Sequence, residues 1–129
     1  NMLVARFNVD GSLDTGFGNG GLVQIDFAGR DDRAESVALQ ADGRILVSGR
    51  AETSAGNFDI ALARLTAAGA LDTSFDGDGK ATFDFGRGDE SAASVLVAAD
   101  GSILFAGTSA TPASTSNPNG FPASMVAGR

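Results

Sequence analysis

Leu71-Asp72-Thr73-Ser74-Phe75 decides the reading of this chain, because it restates Leu13-Asp14-Thr15-Gly16-Phe17 at a distance of 58 positions. Around these copies the chain aligns with itself without a gap, residues 5–49 against 63–107. Arg6 falls on Arg64, Gly11 on Gly69, Asp26-Phe27 on Asp84-Phe85, Asp42-Gly43 on Asp100-Gly101 and Ile45-Leu46 on Ile103-Leu104. Roughly twenty of some forty-five aligned positions are identical, so the segment is an internal repeat.

Each repeat holds four short apolar segments separated by turn residues. Residues 36–40 and 44–49 flank Asp42-Gly43, a hairpin signal. Residues 58–65 follow a polar stretch at 50–57, and 80–85 close the period after the signature. The same segments recur at 2–7, 22–27, 92–98, 102–107 and, less regularly, 121–127, which predicts nine strands. The chain then divides into a partial repeat at 1–35 holding the third and fourth strands, a complete repeat at 36–91, and a partial repeat at 92–129 holding the first three. No segment sustains a helical period. Short, evenly spaced strands with Gly-rich turns predict an all-β fold, and four strands per 58 residues fit an antiparallel β-propeller blade. A β-solenoid or stacked β array is the alternative, although its rungs are usually shorter.

Composition removes several chemistries. The 129 residues contain no Cys, His, Trp or Tyr. Thiolate and imidazole metal ligands are therefore absent, as is the commonest general base. A net charge of −7 repels phosphate backbones, so neither nucleic acid nor an anionic membrane is an expected partner. No apolar run approaches the length of a membrane helix.

The signature with Gly20-Gly21, its second copy with Gly79, the run Val37–Gly49 and the segment Phe58–Arg64 together resemble the delta-60 repeat family. That resemblance spans nearly the whole chain. It implies a propeller-like fold, a place in bacterial secreted or cell-surface proteins, longer arrays, and no enzymatic residues to carry over. The second copy departs from it at Asp76-Gly77-Asp78.

Four groups of residues invite a chemical reading. Asp72, Ser74, Asp76 and Asp78 place oxygens at alternate positions, like the first half of a calcium loop, but Phe83 stands where the closing Glu belongs. The structural reading has Asp14 and Asp72 accepting backbone N–H groups of their own turns. Arg6 and Arg64 lie in apolar strands, where each is expected to lay its stem along the blade and pair with a carboxylate such as Asp26 or Asp84. Phe17, Phe27, Phe75 and Phe85 are expected in the core between blades. Asp31-Asp32 and Asp89-Glu90 are expected to be solvated acids.

The residues thus point to a non-enzymatic structural or binding module needing no cofactor, with calcium the one exception to test. Two blades do not close a ring, so the expected partners are further copies or the rest of a longer propeller, and beyond them a glycan or protein ligand. A fragment of a carbohydrate-active propeller enzyme is the alternative from another class, and it requires carboxylates converging from several blades. The polar stretch at 108–120 has the composition of a contact loop.

Overall fold

The computed structural model describes residues 1–86, 88–110 and 123–128, the last of these as backbone. The described residues form nine strands and no helix. β1 (Met2–Ala5) and β2 (Leu22–Ile25) pair as one sheet. β3 (Asp32–Leu39), β4 (Ile45–Ser54), β5 (Asn57–Leu65) and β6 (Lys80–Phe83) form the second, in that order. β7 (Glu90–Val97), β8 (Ile103–Ser109) and β9 (Ala123–Gly128) form the third. Every pairing is antiparallel between neighbours in sequence. These up-and-down meanders are β-propeller blades, and no solenoid rung is among them. The contact-loop candidate at 108–120 lies largely outside the described residues.

The complete blade shows how the sequence makes its turns. Asp42-Gly43 joins β3 to β4, with Gly43 at φ 86°, the left-handed region that Gly enters without steric cost. Gln40 donates to the Arg44 carbonyl at 2.8 Å, and Asp42 Oδ1 accepts the Arg44 N–H at 3.0 Å. The expected polar loop at 50–57 is instead mostly strand. β4 and β5 stay paired from Ile45↔Leu65 out to Ser54↔Asn57, because a turn at Ala55-Gly56 suffices. β3 and β7 also begin before their expected starts, at Asp32 and Glu90.

A bulge between Ala34 and Ser36 recurs between Ala92 and Ser94. At each, the neighbouring strand carries a glycine, Gly49 or Gly107. A Cβ on Gly49 would stand 1.9 Å from the Arg33 carbonyl oxygen, and one on Gly107 would stand 1.9 Å from that of Ser91. Space, not backbone torsion, demands these glycines. Gly49→Ala is accordingly expected to destabilise the fold by roughly 1–3 kcal/mol, the cost of overpacking. Chemical denaturation followed by circular dichroism checks this, and an unchanged midpoint would count against it.

Strand alternation gives the middle blade two apolar faces. Ile45, Val47, Ala61, Ala63 and Leu65 face the first sheet and pack with Met2, Phe17 and Ile25. Leu46, Ile60 and Leu62 face the third sheet and pack with Ala92, Val95, Ile103 and Phe105. Both strand faces are therefore buried, and the core is two inter-blade layers.

Candidate functional site

The signature turns carry the densest polar network. Arg6 Nε donates to Asp14 Oδ2 at 2.8 Å, and its guanidinium lies 4.6 Å from the centre of the Phe17 ring. One repeat later Arg64 Nε donates to Asp72 Oδ2 at 2.8 Å and stacks over Phe75 at 5.0 Å. Asp14 Oδ1 accepts the Gly16 N–H, and Asp72 Oδ1 accepts the Ser74 N–H and hydroxyl. Each signature aspartate therefore holds its own turn and a strand arginine together. The arginine partner is thus the signature acid, not Asp26 or Asp84 as expected. Those two instead accept the N–H groups of Gly29 and Gly86 in their own turns. The physical reason is proximity: Asp14 N–H donates to the Arg6 carbonyl, so the two side chains leave the same rung.

Asp72 is buried and carries a second cation, since Arg44 Nε donates to the same Oδ2 at 2.7 Å. The sequence reading missed Arg44, whose counterpart in the other repeat is Ser102. The network bears on the calcium reading. Both oxygens of Asp72 already accept donors, Oδ1 from Ser74 and Oδ2 from the two guanidinium groups, so a cation there would compete with them. Ser74 bonds Asp72, Asp76 is an exposed turn residue at φ 50°, and Asp78 Oδ1 accepts the Lys80 N–H.

The expected pairs of solvated acids are each split by strand alternation. Asp31 and Asp89 are exposed, whereas Asp32 and Glu90 are buried. Their strands begin at those residues, and the side chains turn inward to accept the N–H groups of Phe27 and Phe85 at about 3 Å. Glu90 brings with it a carboxylate group absent from the sequence reading. Oxygens of Asp59, Asp84 and Glu90 lie within 4.8 Å of one another. Asp59 accepts from Thr53 and from Asn57, and Glu90 from Phe85 and Ser109. The recurrence of Asp26 and Asp32 at Asp84 and Glu90 was the available signal. Of the repeated phenylalanines, Phe17 is fully buried, and Phe27 and Phe75 pack against the two core layers. Phe85 is exposed, a departure from its expected place: its equivalent Phe27 lies against Lys80 of β6, the fourth strand of the next sheet, and the third sheet has no fourth strand among the described residues.

These hydrogen bonds set the sign of the pH response. Asp72 is held well below the usual carboxylate range, first by the Ser74 hydroxyl and then by its arginines. Ser12 lowers Asp10, the Arg44 N–H lowers Asp42, and Ser102 lowers Asp100. For all four, the stabilising contribution is complete above about pH 4, the unfolded value, and is lost as pH falls through the folded values. Burial raises Asp32, and its contribution has the opposite sign: present at low pH, it fades as pH rises through its folded value. Melting temperature is therefore expected to hold from pH 7 to about 5 and to fall below about pH 4. Circular dichroism is the suitable probe, as Trp and Tyr are absent. A melting temperature still rising at pH 3 would contradict the assignment.

The described residues define a propeller-repeat protein: antiparallel blades pinned by a repeated Arg–Asp–Phe unit. The chain is similar to a family described as a domain of unknown function, DUF5122, β-propeller, whose sequence model matches residues 2–17 and 40–75. The match takes in both signature turns, the Asp42-Gly43 turn and the strands β1, β4 and β5. No curated protein matches the chain.

Proposed function

We propose that the chain is a non-enzymatic structural and binding module of a bacterial extracellular or cell-surface protein, whose blades associate with further blades of the same kind. One comparison carries the reading. Leu46 and Leu104 are repeat equivalents, yet Leu46 is 0% exposed under the third sheet while Leu104 is 37% exposed. At the other end Ala61 is 0% exposed and its counterpart Leu3 is 61% exposed. The same two faces that make the internal interfaces are thus left apolar and open on the outer sheets. Such surface on a soluble chain marks an association site. The extracellular bacterial setting rests on the delta-60 resemblance.

The polar constellations favour this over catalysis. The repeated acids accept backbone N–H groups or pair with arginines, which are structural tasks. Light scattering on a sizing column tests the reading. The expected mass is three or four chains, enough for rings of six or eight blades. A monomer at tens of micromolar would overturn it.

A further inference from the structure

How the blades associate can be read from contacts made once inside the chain and left half-made elsewhere; the inference rests on the assembly reading above. Across the first interface, Phe17 is fully buried against Gly69, where a Cβ would stand 2.9 Å from its ring. One repeat later Phe75 is only partly buried, while Gly11, the counterpart of Gly69, has nothing within 4 Å. Arg6 Nη1 donates to the Ala67 carbonyl at 2.7 Å, and Val9, the counterpart of Ala67, is fully exposed. The unfilled partner of the Phe75 turn therefore has the shape of the turn that follows β1.

The backbone of β1 agrees. Arg6 donates its N–H to Gly21 and accepts the Asp14 N–H, both toward the β2 side. Alternation then points the N–H and carbonyl of Leu3 and Ala5 the other way, to an edge where no described strand lies. Their counterparts Ala61 and Ala63 pair there with β4. A cleft of about 250 Å³ runs beside this edge, lined by Leu3, Val4, Ala5, Glu35 and Val37.

We infer that β1, its turn and β2 of one copy complete the third sheet of a second copy, in the order β7-β8-β1-β2, at the β8 edge that β9 holds within the chain. Ala106 then faces Val4 of the other copy and Phe105 faces Ala5, as Ser48 faces Leu62 and Val47 faces Ala63 in the middle blade. β9 is the less complete occupant of that edge, because no described fourth strand pairs with it, whereas β1 brings β2 with it. Exchange restores a four-stranded blade. It also covers both open leucines. Leu3 joins Ile103 and Phe105 over the middle blade, and Leu104 joins Met2 and Val4 of the other copy over Ile45 and Val47. The described strands β1 to β8 of each copy then make up two four-stranded blades, which gives the mass of three or four chains its geometric meaning.

The test uses the full chain. Because it has no cysteine, the double variant Val4→Cys/Ala106→Cys can form disulfides only at the introduced sites. Under mild oxidation it is expected to give a ladder of covalent oligomers on a non-reducing gel, with neither single variant doing so. Ala5→Pro removes an N–H from the free edge while leaving the ladder to β2, and is expected to reduce the native particle to monomers with an unchanged circular dichroism spectrum. An oligomer that persists in Ala5→Pro and yields no ladder overturns strand exchange but leaves face-to-face assembly standing. A monomeric parent chain overturns both.

Discussion

Leu46→Ala is expected to destabilise the fold by about 2–5 kcal/mol, whereas Leu104→Ala, the same change at the same position of the next repeat, should barely move the stability of the isolated chain. Leu46 is fully buried in the layer with Ile60, Leu62, Val95, Ile103 and Phe105, so truncation leaves a cavity that β-sheet backbones cannot collapse into. Leu104 stands on the open face of the third sheet and leaves no cavity there. Its effect should appear instead in association: the particle mass should fall toward one chain while unfolding of the monomer is nearly unchanged. Denaturant titration and light scattering on both variants separate these outcomes. Equal destabilisation by the two substitutions would mean that Leu104 is already packed, and the open-face reading would be lost.

Asp72→Ala should be the most damaging change of a charged residue, with a loss in melting temperature on the order of 10 °C. The carboxylate is the common acceptor for Arg44, Arg64 and Ser74. Removing it leaves two guanidinium groups facing one another, and the Arg64 side chain is mostly buried. It also frees the turn that delivers Phe75 to the core. Asp14→Ala is the matched control. Asp14 binds one arginine at a more exposed site, so its loss should cost clearly less. Arg44→Ala should also cost less than Asp72→Ala, because Arg64 and Ser74 still satisfy the acid. Thermal melts of the three variants check the order, and an Asp14 effect as large as that of Asp72 would show that the second arginine adds nothing.

Most of the architecture was legible because the repeat makes the chain its own control. A glycine or acid that returns after 58 positions is tied to a backbone need, and Asp42-Gly43 with Asp100-Gly101 fixed two hairpins without any structure. Side-chain partners were harder to read. Arg6 and Arg64 were expected to find Asp26 and Asp84, which sequence pattern cannot distinguish from Asp14 and Asp72. The choice depends on which acid leaves the same rung as the arginine. Arg44 was invisible as a partner because it does not recur. The group formed by Asp59, Asp84 and Glu90 joins a residue of β5 to two acids that follow much later in the chain, brought together where two blades meet.

The amino-acid sequence by itself determined the order of the strands, their Asp-Gly turns, the blade period and the recurrence of the signature residues, since these depend on local torsion, alternation and spacing. Only the tertiary structure decided which copy of each repeated residue is buried. Leu46 and Leu104 are the same residue at equivalent positions of the repeat, and so are Gly69 and Gly11. What distinguishes each pair is whether a neighbouring blade lies against it, a property of the packing between sheets that no local pattern encodes.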